Sequence, residues 1–130
     1  MAKASTLACS LFLSILLTGC SDSIGDKYVS FAKCLTEKDA TMYGAYWCPH
    51  CANQKEMFGK LGFAEINNVE CDPRGADAKP ELCQKNGIEG YPTWIFADGS
   101  RMAGEIPLPK LAEKTGCKLP AENPNENPAK

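Results

Sequence analysis

The chain has 130 residues, with 14 Lys and Arg against 16 Asp and Glu, and a formal net charge of −2. That length allows one small domain with one core. A near-balanced charge with no basic run or stripe leaves no electrostatic footprint for nucleic acid. Eight cysteines in so short a chain are the strongest compositional signal.

Met1-Ala2-Lys3 precedes an apolar run from Leu7 to Leu17. The run is too short to span a bilayer but has the shape of an export signal, one positive charge followed by an apolar stretch. Leu17-Thr18-Gly19-Cys20 resembles the lipobox of bacterial lipoproteins, where cleavage falls before the cysteine and lipid is attached to its sulfur. Small Thr18 and Gly19 suit a peptidase pocket, and polar Ser21-Asp22-Ser23 suit an exposed tether. On this reading residues 1–19 are a lipoprotein signal peptide, 20–26 a tether lipidated at Cys20, and 27–118 the folded domain. Residues 119–130, rich in Pro and Asn, form a disordered tail. The expected location is extracytoplasmic, lipid-anchored to a bacterial membrane on its periplasmic side or at the cell surface; an ordinary cleaved signal is the alternative.

Ile24–Thr36 places Ile24, Tyr28, Phe31, Ala32 and Leu35 at a helical period. Ala40–Trp47 is rich in aromatics and reads as a buried strand. Cys48 then stands where a helix begins, with Pro49 at the first helical position, where its missing N–H costs nothing. Met57, Phe58 and Leu61 continue that helix and Gly62 is expected to stop it. Phe63–Cys71 reads as a second strand, and Pro80–Asn86 as a short helix ended by Gly87. Thr93–Ala97 is a strand, Asp98-Gly99 a hairpin turn and Arg101–Glu105 the returning strand. Leu108–Thr115 is a last helix, stopped by Gly116. This order of elements predicts an α/β domain with a mixed sheet.

If residues 1–19 are removed and Cys20 carries lipid, six cysteines remain: Cys34, Cys48, Cys51, Cys71, Cys83 and Cys117. An even number in a small exported domain predicts disulfides, with several connectivities open. The stretch "GAYWCPHCANQ" (Gly44–Gln54) narrows them, because a C-x-x-C at a strand-to-helix junction gives its thiols unequal surroundings. Cys48 lies at the helix N-terminus, where free N–H groups and the helix dipole favour a thiolate. Cys51 lies one turn further in, placed to resolve a mixed disulfide formed at Cys48. An imidazolium at His50 near the Cys48 sulfur favours the reduced form and makes the disulfide a stronger oxidant. A structural bridge and a zinc site compete with this reading. Zinc needs further ligands, and Cys71 and Cys83 do not form a second C-x-x-C. Haem attachment needs His directly after the second cysteine, where Ala52 stands.

"GIEGYPTWIF" (Gly87–Phe96) completes a pattern. W-C-P-H-C after a strand, with Y-P-T opening a later one, resembles the thioredoxin family over roughly Phe31–Cys117. The resemblance implies a thioredoxin-like fold with about four strands and with Pro92 cis and facing the C-x-x-C. It also implies that the backbone of Tyr91 pairs with a bound substrate strand, that Trp47 helps to form the substrate site, and that no cofactor or metal is needed. "MYGAYWCPHC…VECD…LC…GIEGYPTW" is similar to the thioredoxin-like domain fused to bacterial and plant relatives of vitamin K epoxide reductase. Those domains carry an additional cysteine pair, matched here by Cys71 and Cys83. This second resemblance implies electron flow from cysteine-containing protein substrates to Cys48–Cys51, then to a quinone-linked membrane partner. The chain departs from the thioredoxin pattern twice. Met42 stands where thioredoxins carry a buried acid ahead of the active cysteines, and the family's first strand is absent.

A Cys71–Cys83 bridge would staple the loop between the second strand and the short helix, with a redox relay as the alternative role. Cys34 and Cys117 are then left to each other. Taken together, the residues predict a protein thiol–disulfide oxidoreductase acting as oxidase or isomerase. A periplasmic disulfide reductase, for example in cytochrome maturation, is the alternative direction. A binding lipoprotein in which all six cysteines are structural is the alternative class.

Overall fold

The computed structural model describes residues 27–121. Four helices and four strands follow one another along them: α1 (Val29–Glu37), β1 (Thr41–Gly44), α2 (Pro49–Ala64), β2 (Asn67–Glu70), α3 (Pro80–Lys85), β3 (Thr93–Ile95), β4 (Arg101–Ala103) and α4 (Leu108–Thr115). The strands form one mixed sheet in the order β2-β1-β3-β4. β1 pairs parallel with β2 and antiparallel with β3, and β3 turns back antiparallel onto β4. Among the described residues α1 leads directly into the central strand β1, so the sheet has the four strands expected.

Side chains alternate across this sheet and divide the apolar residues into two layers. Met42 lies opposite Trp94, and Trp94 opposite Met102. Their face meets Phe31 and Leu35 of α1, Phe58 of α2, and Leu108 and Leu111 of α4 in the main core. Phe31 and Phe58 stack with ring centroids 6.0 Å apart, joining α1 to α2. Tyr43 and Val69 point the other way, towards Cys71, Cys83, Leu82 and Ile88 around α3.

α4 has the bounds the sequence suggests, α2 runs longer, and the strands are shorter. Only Thr41–Gly44 of the Ala40–Trp47 run is strand, because the chain turns at Ala45–Trp47 to enter α2. Gly62 does not stop α2; the helical path breaks at Gly59, whose φ of 69° suits glycine, and then resumes to Ala64. Gly62 serves by its size instead, since a Cβ there would lie 3.2 Å from the Cβ of Tyr28. Phe63 and Ala64, expected to open the second strand, therefore belong to the helix.

Two disulfides close the fold. Cys34 of α1 is bonded to Cys117 just after α4, with Cα atoms 5.9 Å apart. Cys71 at the end of β2 is bonded to Cys83 of α3, with Cα atoms 5.8 Å apart. Leu119 packs against the main core, so the ordered domain extends past Cys117. The residues read above as signal peptide and lipidated tether, Cys20 among them, and most of those read as tail lie outside the described residues.

Candidate active site

Cys48 and Cys51 are free thiols, both buried. The path from sequence to site is short: β1 ends at Gly44, the turn closes with the Cys48 N–H donating to the Ala45 carbonyl at 3.0 Å, and α2 begins. Cys48 is the N-cap of α2, with Pro49 directly after it, as the sequence predicts. Its sulfur accepts the Cys51 N–H at 3.3 Å, one of the orphan donors of the first turn. The same sulfur donates to the Tyr91 carbonyl at 3.6 Å. That contact brings the loop before β3 against Cys48, and the Tyr91–Pro92 peptide in this loop is cis.

Cys51 is held differently. Burial pushes its thiol up to about 12, with a hydrogen bond to Cys48 adding to the effect; a backbone hydrogen bond from Ala45 and the charge of Lys55 pull the other way. Its sulfur rests against the end of β1: a Cβ on Gly44 would come within 2.9 Å of it. Glycine at this position is a consequence of that close approach. The pair is therefore asymmetric, with one thiol facing the Tyr91–Pro92 loop and the other buried against the end of β1 with its acidity weakened.

His50 is exposed and turned towards the segment between β4 and α4. Its Nδ1 lies 2.6 Å from Glu105 Oε1, which also accepts from Asn53 Nδ2 at 3.0 Å. The hydrogen bonds from His50 and then Asn53 hold the Glu105 carboxyl below the usual carboxylate range. Buried Gln54 ties the same segment to α2, accepting from the Ile106 N–H at 2.7 Å and donating to the Ile106 carbonyl at 3.0 Å.

Trp47 stands at the rim, 54% exposed, with its ring edge-on to Tyr91 at 6.0 Å. Its indole N–H donates to Asp72 at 2.7 Å, and Arg74 grips both oxygens of that carboxylate at 2.9 and 2.8 Å. Asp72 follows Cys71, so the Cys71–Cys83 staple anchors the residue that orients Trp47. The same bridge occupies the two thiols that a zinc site would require. The Lys55 ammonium, one helical turn past Cys51, lies 5.1 Å over the Phe63 ring.

Sequence reasoning thus places Trp47, Cys48, Pro49, His50, Cys51, Tyr91 and Pro92 in one neighbourhood, and the fold brings them together. It missed Gly44, Asn53, Gln54, Asp72 and Glu105. Asn53 and Gln54 share a helix with Cys51 and were within reach of a helical-spacing argument. Asp72 and Glu105 reach the site only through the fold, and no local signal marks them.

Residues 28–114 match the thioredoxin family. The chain is 44% identical over 109 residues to the thiol-disulfide oxidoreductase LTO1 of Arabidopsis thaliana, covering 82% of this chain and 29% of that protein. It therefore spans under a third of that relative's length. A solved structure of mitochondrial thioredoxin 3 from Saccharomyces cerevisiae, in its oxidized form, is similar at 22% identity and a TM-score of 0.35, covering 67% of this chain and 84% of the other. The chain belongs to the thioredoxin family.

Proposed function

We propose that this thiol–disulfide oxidoreductase works outside the cytoplasm in the oxidising direction, passing a Cys48–Cys51 disulfide to the cysteines of other proteins. The observation that carries the reading is the asymmetry of the two thiols. Cys48 caps a helix beneath the Tyr91–Pro92 loop, while Cys51 is buried with its thiol pushed up to about 12. The other four cysteines of the described residues are bonded in two pairs, which leaves Cys48 and Cys51 as the reactive couple. Met42, in place of a buried acid, disfavours a fast general reductase.

In the oxidised protein a substrate thiolate attacks Cys48 Sγ and breaks the Cys48–Cys51 bond. The electron pair goes to Cys51 Sγ, which takes up a proton readily because its buried thiol is a weak acid. A second substrate thiolate then attacks the substrate sulfur of the mixed disulfide and releases Cys48 as the leaving thiolate. Two electrons have moved from the substrate pair to Cys48 and Cys51; of the two protons the substrate thiols gave up, one is on Cys51 and the other is in solvent, with Cys48 left as a thiolate. Trp47 and the Tyr91 backbone flank Cys48 and suit an extended cysteine-bearing segment. Return to the disulfide requires an acceptor of two electrons, for which a quinone-linked membrane protein, such as a vitamin K epoxide reductase-like partner, is the proposed candidate. Lipid at Cys20 would hold the enzyme at the membrane.

The test is covalent trapping in the full chain. With Cys51→Ser, a disulfide-bonded adduct should accumulate at Cys48 with a reduced, unfolded protein substrate under mild oxidation, and Cys48→Ser should trap nothing. Adducts mapping to Cys71 or Cys83 would contradict the assignment. Separately, Cys20→Ala should abolish incorporation of labelled palmitate and release the protein from membranes.

A further inference from the structure

Glu105 takes no part in the exchange described above, yet it is a firmly held charged group beside the motif. Its Oε1 receives His50 Nδ1 at 2.6 Å and Asn53 Nδ2 at 3.0 Å, both from the first turns of α2. One residue on, the Gln54 side chain pairs with both backbone groups of Ile106. Gln54 is itself fully buried and takes a further contact from Trp94 Nε1 at 3.4 Å, so the segment Gly104–Pro107 is pinned to the helix from the core side. Glu105 is thus held out to His50 on fixed backbone rather than on a free loop.

We propose that Glu105 is a positioning residue that holds the His50 imidazole by Nδ1, away from the Cys48 sulfur, and so keeps the couple less oxidising than its Pro49-His50 dipeptide alone would make it. The inference rests on the reading of Cys48–Cys51 as the redox couple. Two features point the same way. The Cys48 sulfur makes its hydrogen bonds with Cys51 and with the Tyr91 carbonyl, while His50 Nδ1 is committed to Glu105. A carboxylate 2.6 Å from the ring also offsets the positive charge that a protonated imidazole would present to a Cys48 thiolate. An oxidant gains its power from a stabilised thiolate in the reduced form. A group that draws the imidazole off that thiolate therefore lowers the potential.

The experiment compares the full chain with Glu105→Ala, His50→Asn and the double variant, each equilibrated in glutathione buffers. Glu105→Ala should move the equilibrium constant about tenfold towards the reduced protein, which is about 30 mV for a two-electron couple. The same substitution in the His50→Asn background should change it less than about twofold. The ring resonances of the chain's single histidine should shift in Glu105→Ala, reporting release of Nδ1 directly. Glu105→Gln, which keeps the shape of the side chain, should move the constant in the same direction and decides the point if the alanine variant does not fold. A constant within twofold of the parent, or an equal shift in both backgrounds, would overturn the proposal. The parent's own potential judges the oxidising reading; the difference between variants judges this one, so either can fail without the other.

Discussion

At the scale of single residues, the site depends on one absent side chain. A methyl group at Gly44 would lie 2.9 Å from the Cys51 sulfur and 3.5 Å from Met42 Cε. Both neighbours sit in the core, so the strand or the helix would have to move. Gly44→Ala should destabilise the reduced protein by about 1–3 kcal/mol in urea unfolding, the ordinary cost of overpacking a full core. It should also slow resolution of mixed disulfides by displacing Cys51. The sequence made Cys48, His50 and Cys51 legible because the chemistry is written in a short motif. It did not reveal Gly44, because a glycine at the end of a strand has many explanations and only the position of the Cys51 sulfur selects one.

At the scale of elements, the segment between β4 and α4 is held to α2 by the hydrogen bonds of Gln54. Gln54→Leu removes the partners of the Ile106 N–H and carbonyl and of the Trp94 indole N–H in a buried setting. Each buried group left unpaired costs about 1–3 kcal/mol. The variant should lose several kcal/mol in total, and Gln54→Ala should fare better only if water enters the gap. Thermal unfolding followed by circular dichroism measures both. A second tie joins the β3–β4 turn to α4: Asp98 accepts from Lys114 Nζ at 2.6 Å and from Ser100, which holds its carboxyl well below the usual range. A carboxyl depressed in the folded state contributes stability that is complete above the ordinary carboxylate range, near about pH 4, and is lost as pH falls through the lower folded value. The pair is exposed, so salt should weaken it. The urea midpoint of the parent should therefore fall more steeply below about pH 4 than that of Asp98→Asn. Element type was readable from period and turn residues, and so were the bounds of α4 and the start of α2, whereas the end of α2 and the strand ends were not. Gly62 read as a stop because glycine ends helices, and the fold used its smallness against Tyr28 and gave the break to Gly59.

At the scale of the whole molecule, two disulfides supplement a small core. The Cys34–Cys117 bridge closes a loop with a sequence separation of 83, and Cys71–Cys83 one of 12. In the chain-entropy account these are worth about 4.5 and about 3 kcal/mol, large beside a total stability of about 5–15 kcal/mol. Replacing Cys34 and Cys117 by alanine should lower the unfolding free energy by several kcal/mol while leaving the Cys48–Cys51 potential nearly unchanged. Replacing Cys71 and Cys83 should also loosen Asp72 and with it Trp47, so that substrate exchange slows beyond the loss of stability. Thioredoxin membership was legible because W-C-P-H-C and Y-P-T occur together, and the family match spans both. The contacts that tune the site were not, since Glu105 and Asp72 meet it only after the sheet has formed.

The measurement that tests the account most directly is the reduction potential of the Cys48–Cys51 couple in glutathione buffers, followed by Trp47 fluorescence with Cys51→Ser as control. The account predicts about −120 to −180 mV, the range of oxidants and isomerases. A value near about −270 mV would contradict it and make the protein a reductant in need of an upstream donor.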